Sequence, residues 1–552
     1  AAYIDDVGEL CGRLNKLWDD GFLLAHHRRH IVEALANVAQ HVGDRDVGIK
    51  LLSELLRPTF NRLEAANVPA ILVGPHKDFF QKLFHEEEFR NSLYNTVDEL
   101  AFVIKRLSSQ PGEESMCWPV VQPMLIPLLH LLRQLHTLRT PAVRDQLPEQ
   151  VRVFLYRLAP KRMLSILGHS HDPPRIAEPS TELEQQADNV AGWLASAYEN
   201  LMRLLSNVVN AHSTSVFSSE SFLQQFFQSM VYLEHQPLWI LKTFFYFMIV
   251  SLTKSCPPER VATVFPECIR VAFLPAFLAC RQSWHWLSAE AGDSETNSGR
   301  GQTRASCAEE IVTDKLTRDL SREILNWLSP PLSMPRLSHM RDTVLARPEL
   351  LQELVEVLSA CLQWPDAECR DRSANACQGI LYSLTGAAMN AVDTLPVYAD
   401  ELAVLYTRLG LELALSGPCS NAIGFLLRQA WLYTKARQGA AQAPLPLLEQ
   451  MRATYLRVPG CEESNVAFIE KVLANPLGKN TLQKAVNFVV QQGQRNLRGA
   501  RSSNKTSFDP ITPAAFQFLS AKRAKEHGAL TKDSLADVST GDTLSLEGLF
   551  SE

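Results

Sequence analysis

The strongest constraint on this chain is a helical period that recurs from one end to the other. Val47, Leu51, Leu52, Leu55 and Leu56 share one helix face, as do Leu351, Leu354, Val355, Leu358, Cys361 and Leu362. Apolar residues three and four apart line one stripe of an α-helix, whereas a half-buried strand alternates every second residue. The same spacing predicts helices over 27–42, 90–107, 119–136, 182–209, 220–232, 237–253, 258–288, 308–328, 400–416, 421–436, 446–457 and 464–474. No sustained two-residue alternation occurs, so the chain reads as all-α. Start signals agree. Thr181-Glu182-Leu183-Glu184 and Ser306-Cys307-Ala308-Glu309 have capping-box spacing. Pro257-Pro258-Glu259 puts proline and an acid in a first turn, where the helix dipole favours them.

Size decides how such helices assemble. The 552 residues are 46% hydrophobic, too apolar for a disordered chain and too long for one core, which stops growing near roughly 250–300 residues. The 25 glycines fall below the ordinary ~7% and argue against a turn-rich β protein. The 31 prolines fall mostly between apolar runs and read as punctuation between helices. Helices of this length, joined by short links, stack most readily into an α-solenoid; a HEAT-type unit of about 40–47 residues would repeat roughly twelve times. The expected organisation is a HEAT-repeat α-solenoid over 1–530, with loop insertions near 168–180, 289–306 and 497–512, and an acidic tail over 531–552. Ser329–Arg336, rich in proline, reads as a further break.

The eleven cysteines are dispersed, with no CxxC pair, which suggests reduced, buried thiols in a cytosolic or nuclear protein. Cys361, Cys369 and Cys377, eight apart, read as core thiols on successive layers. The run Leu238–Leu252, interrupted by Lys242, is shorter than the ~20 apolar residues of a spanning helix and reads as buried, so no membrane partner is expected. The first residues lack a secretory pattern. They carry no initiator Met and begin inside an amphipathic stretch, which reads as a fragment of a longer protein.

Motifs for catalysis or metal binding are weak. His26 and His30 stand four apart in His-His-Arg-Arg-His, but Arg28 and Arg29 would repel a cation, and a solvated helix start is the better reading. Phe84-His85-Glu86-Glu87-Glu88-Phe89 lacks the second histidine of a zincin, and Gly478-Lys479-Asn480 lacks the P-loop's first glycine. His169-Ser170-His171-Asp172 sits in a proline-rich loop that fixes no geometry. No catalytic residue, metal site or cofactor is expected, and an enzyme is disfavoured.

One charge feature stands apart. From Lys471 to Leu530 there are ten Lys and Arg against two acids, in a chain of net charge −6. Arg495, Arg498, Arg501, Lys505, Lys522, Arg523 and Lys525 are the candidate cargo-binding cations. Such a stretch can track phosphates or pair with an acidic partner. It can equally be an ordinary basic end, screened by a tail that has one Lys against five acids.

Several ordered pieces resemble the C-terminal half of the exportin-5 family, members of the importin-β (karyopherin) superfamily. Cys256-Pro257-Pro258-Glu259 opens a helix pair that runs to Trp284-His285-Trp286, and an acidic Gly/Ser-rich insertion follows. Then come Leu316-Thr317-Arg318-Asp319-Leu320-Ser321-Arg322-Glu323-Ile324, later Pro476-Leu477-Gly478 before the basic stretch, and a tail closing on Leu549-Phe550. Ile31-Val32-Glu33-Ala34-Leu35 matches the opening of an early repeat. The resemblance implies a superhelix of HEAT repeats that binds RanGTP and cargo together in the nucleus and passes nucleoporins. It releases both ligands in the cytoplasm. Implied cargoes are structured small RNAs such as precursor microRNA and tRNA, or protein cargo. The resemblance also implies that the missing part is N-terminal and carries the main Ran contacts. This chain would then supply part of the cargo cradle. A HEAT-like scaffold without Ran-dependent transport is the competing reading.

Overall fold

The computed structural model describes residues 2–23, 25–107, 118–167, 178–294, 304–389, 399–416, 420–439, 446–457, 462–474 and 487. Among them every regular element is helical: twenty-five α-helices and five short 3-10 or π segments, with no strand. The expected long helices are present with bounds shifted by a few residues. They include Ala25–Gln40, Glu87–Arg106, Trp118–Thr137, Glu182–Ala211, Arg304–Ser333 and Asn421–Gly439. The 182–211 helix starts at a complete capping box. Glu184 N donates to Thr181 Oγ1 at 3.2 Å, and Thr181 N donates back to the Glu184 carboxylate at 3.1 Å. The second expected box is displaced, because its helix begins at Arg304 and places Ser306 inside the first turn.

Other helices carry no strong periodic signal. Val68–Val73, His76–His85, Pro141–Arg144, Glu149–Leu155 and Pro160–Leu167 have four to ten residues, too few turns to establish a period. Ala367–Met389 is long, but its buried face up to Gly379 is built from small residues, Cys369, Ser373, Ala374, Ala376, Cys377 and Gly379, and large ones, Ile380, Leu381 and Leu384, enter only beyond it. Cys361 closes the preceding helix, Pro348–Leu362, so the three evenly spaced cysteines belong to two helices rather than one. All three are buried.

Proline corrects the sequence reading. Pro58, Pro123, Pro127, Pro266, Pro330 and Pro331 lie inside helices rather than between them. Proline deprives the carbonyl four residues earlier of its donor. At Pro58 that carbonyl belongs to Glu54, and Asn15 Nδ2 from the first helix donates to it at 3.1 Å. The Ser329–Arg336 break is also corrected. The 304–333 helix continues through Pro330-Pro331, Met334 N bonds back to Pro330 O at 2.9 Å, and a 3-10 turn over Pro335–Leu337 follows.

Packing proceeds along the chain. The 25–40 helix packs on 87–106, which packs on 182–211; that helix meets the 245–255 segment. Further on, 238–244 packs on 304–333, which packs on 367–389, then 421–439, then 463–474. One contiguous apolar cluster runs from Cys11 to Leu473. Leu238–Ser255 and Pro258–Leu287 are long and apolar enough to cross a membrane by composition. Here they are core helices, with Phe244, Phe245, Met248, Ile249, Val264 and Phe265 buried. Each is interrupted by a π turn, at Phe245–Ile249 and Ile269–Phe273. The indole of Trp327 gathers Phe245, Phe265 and Phe273 at centroid distances of 5.3–6.0 Å, and its Nε1 donates to Thr253 Oγ1 at 2.7 Å.

Candidate ligand-binding pockets

The expected cargo cations, Arg495, Arg498, Arg501, Lys505, Lys522, Arg523 and Lys525, lie outside the described residues, as do most of the three loop insertions and the tail. Three pockets elsewhere stand out among the described residues.

The first grows from the His-His-Arg-Arg-His segment, whose solvated reading holds for His27 and His30, both exposed, but not for Arg28. Arg28 is 3% exposed. Its Nε donates to both oxygens of Glu99 at 3.2–3.3 Å, its Nη1 to Asn15 Oδ1 and its Nη2 to Leu55 O, each at 3.3 Å. The guanidinium also lies 4.9 Å from the centre of the Trp18 ring. Glu99 accepts from Arg62 at 3.2 Å and from Thr59, and Arg29 pairs with Asp98 at 3.1 Å. Arg28 can be buried because Glu99, from the 87–106 helix, supplies its counter-ion. His30 is exposed and 3.8 Å from Glu33, and the His26 side chain lies outside the described residues. The adjoining cavity of about 270 Å³ is bordered by Trp18, Arg29, Arg62, Tyr94, Asp98 and Glu99. Its cations are already matched by carboxylates, so it offers little net charge to a ligand.

The second is an apolar groove of about 450 Å³ between the 45–65, 87–106 and 118–137 helices, bordered by Phe60, Leu72, Val97, Val120 and Met124. Pro119, Pro123 and Pro127, four apart, form one wall. The second and third leave the carbonyls of Pro119 and Pro123 without an intrahelical donor. On the 87–106 helix, which forms another side of the groove, Thr96 Oγ1 is buried with no hydrogen-bond partner among the described residues.

The third, about 610 Å³, is larger than these two and joins segments far apart in sequence: Arg139 and Arg144, Tyr156, the turn 234–238, Ala279–Trp286 and Thr313. Arg139 stands in the turn after the 118–137 helix. Its guanidinium lies 5.8 Å from the Tyr156 ring centre and 5.6 Å from that of Trp239. No hydrogen bond or carboxylate partner to this guanidinium occurs among the described residues. Burial pulls its pKa down to about 10, against a smaller opposing effect of Tyr156 and Tyr198. Tyr156 is fixed by donating its hydroxyl to Leu138 O at 2.6 Å. The opposite wall begins at Tyr232, a non-glycine residue in the left-handed region with φ 59°. Gln236 holds that turn, its Nε2 donating to Tyr232 O at 2.9 Å and His136 O at 3.0 Å. Beneath, His136 is fully buried against the Tyr198 hydroxyl at 3.1 Å, and burial pushes its pKa down to about 3.

The described cysteines are buried or half-buried, and burial pushes their thiols up and away from the reactive thiolate. Among the described residues no group of three or more His, Cys, Asp or Glu is placed to hold a metal ion.

Similarity to known proteins gives these surfaces a setting. Residues 58–395, more than half of the chain, match the family model described as the Exportin-5 family. The chain is 23% identical over 420 residues to "Protein HASTY 1" of Arabidopsis thaliana, an alignment covering 66% of this chain and 32% of that protein. The chain thus spans about a third of the length of the curated relative it matches. The matched span includes the Trp327 core, the apolar groove and the Arg139 pocket. The chain belongs to the Exportin-5 family.

Proposed function

We propose that this chain forms part of a karyopherin-type nuclear export receptor, one that binds cargo together with RanGTP and carries it from nucleus to cytoplasm. The observation that carries the reading is the family match over 58–395, supported by an all-α architecture in which packing passes from helix to nearby helix along the sequence. That contact pattern suits a HEAT-type α-solenoid over 1–530, whose extended concave surface can hold two ligands at once. The acidic residues 531–552 form a separate tail. On this reading the protein shuttles through the pore, contacts nucleoporins, and makes its main Ran contacts outside this chain.

Cargo is structured small RNA or protein. Described arginines are largely matched by acids: Arg106 by Glu33, Arg157 by Asp188, Arg322 by Asp366, Arg437 by Asp400 and Arg452 by Glu470. Duplex RNA is read mostly through phosphate and shape and needs an open track of cations. Arg495, Arg498, Arg501, Lys505, Lys522, Arg523 and Lys525 supply such a track in this chain. A shuttling assay on the full-length protein tests the transport reading. Transfer between the nuclei of a fused cell supports it, and confinement to one compartment leaves the scaffold reading.

A further inference from the structure

We propose that the Arg139 pocket is a peptide-binding site that takes a carboxylate side chain on Arg139 and an adjacent large apolar side chain against Trp286 and Leu238. The site stands independently of the export reading, because it binds such a peptide or fails to whether or not Ran is present.

The first support is a half-buried cation with no carboxylate in contact among the described residues. Withdrawing a guanidinium from water is costly unless a counter-ion compensates. Arg28, a fully buried arginine of the N-terminal half, has Glu99 in contact at 3.2 Å. Arg139 has aromatic faces instead, Tyr156 and Trp239, which orient the group without neutralising it. Nearby acids are otherwise engaged: Arg162 takes Glu199 at 3.2 Å, Arg144 takes Asp145 at 3.2 Å, and Glu234 lies 3.7 Å from His235. The second support is the shape of the opposite wall. The left-handed backbone at Tyr232 is a conformation that a bulky residue adopts only when its surroundings enforce it, and such strain gathers at binding sites. The turn it makes is what brings Gln236 and Pro237 opposite Arg139. The third support is exposed aromatic surface on the rim: Trp286 is 41% exposed.

The class of ligand follows from charge and size. One free guanidinium matches one monoanion, whereas a phosphate dianion would leave excess negative charge beside Glu234. A duplex backbone needs a row of cations, and this pocket sets the carboxylate of Glu234 beside two arginines. A carboxylate next to an apolar side chain fits both the cation and the Leu238–Trp286 wall, as a peptide presents them in adjacent residues.

The test is a titration of the full chain with the fluorescein-labelled peptide Glu-Leu-Phe, blocked at its C-terminus, and with three comparison ligands: Gln-Leu-Phe, phosphoserine-Leu-Phe and a uridine trinucleotide. The Glu peptide is expected to bind at least about tenfold more tightly than the Gln peptide. Arg139→Met should abolish that preference while the far-ultraviolet dichroism and the unfolding temperature are maintained or raised. Trp286→Ala, on the exposed rim, should weaken both peptides alike without touching the fold. Equal binding of the Glu and Gln peptides, or a preference that survives Arg139→Met, overturns the site. Tighter binding of the phosphoserine peptide overturns the monoanion assignment, and displacement of the Glu peptide by the trinucleotide overturns the peptide assignment.

Discussion

Gly379 offers the sharpest structural test. It lies where the 367–389 helix crosses the end of the 304–333 helix. A Cβ built there would collide with Leu332 O and stand 2.7 Å from Leu332 C and 2.8 Å from Ser333 Cα. Carbon atoms rest at about 3.5–4.0 Å, so the two helices must separate by roughly 0.7–1.3 Å. The obstacle is backbone, which cannot rotate away, and overpacking of this kind costs about 3 kcal/mol at its upper end. Alanine recovers about 1 kcal/mol of helix propensity, leaving a net loss of about 2 kcal/mol. Gly386, in the same helix, meets nothing within 4 Å, so Gly386→Ala is a matched control expected to stabilise by about 1 kcal/mol. A chain of this length need not unfold in one step, so the assay is local: hydrogen exchange of amides in 367–389. Gly379→Ala should accelerate exchange about 30-fold, and Gly386→Ala should slow it. Slower exchange in both variants would show that propensity outweighs the clash and would refute the close crossing.

Two predictions concern pH and one concerns cargo. Burial works to raise the Asp366 carboxyl, but bonds from Arg322 and the Cys369 amide outweigh it and hold the pKa at about 2. Its stabilising contribution, about 2 kcal/mol, should be full above pH 4 and lost as pH falls towards 2, and Asp366→Asn should flatten that limb of an acid-unfolding curve. Burial pushes His136 and His212 down to about 3 and about 4, so the unfolded chain binds more protons below the ordinary value of 6.5. Stability should therefore drop as pH falls from 6.5, by up to about 1.4 kcal/mol per unit for each histidine, read as a falling urea midpoint between pH 6.5 and 4. Changing Arg495, Arg498 and Arg501 together to Ala should weaken RNA-hairpin binding by the full-length protein and lower the salt slope by about one per lost phosphate contact; an unchanged slope would remove them from the RNA site.

What the sequence made legible follows from how each element is stabilised. Long helices such as 118–137 and 182–211 bury a stripe of large residues, and that stripe is visible as a period. The 367–389 helix buries alanine, cysteine and glycine to allow close approach, so its period is faint. Pro58 reads as a breaker because its remedy, Asn15, lies in another helix. Arg28 reads as solvated because its counter-ion, Glu99, is 71 positions away. The Arg139 pocket is less legible still, since Arg139, Tyr156, Trp239 and Trp286 share no local pattern. The available signal was weak: an arginine directly after the apolar 118–137 run, with no acid before Asp145. Family membership, by contrast, was carried by ordered local pieces, of which Cys256–Trp286 and Leu316–Ile324 lie within the matched span 58–395 and Ile31–Leu35, Pro476–Gly478 and Leu549-Phe550 lie outside it.

The most direct test of the account is the affinity of the full-length protein for a short RNA hairpin and for a protein cargo, with and without GTP-loaded Ran, at two salt concentrations. An export receptor predicts tighter cargo binding when Ran carries GTP, with salt-sensitive binding if the cargo is RNA. Equal affinity for every cargo with and without GTP-loaded Ran would contradict the export reading and leave a helical scaffold.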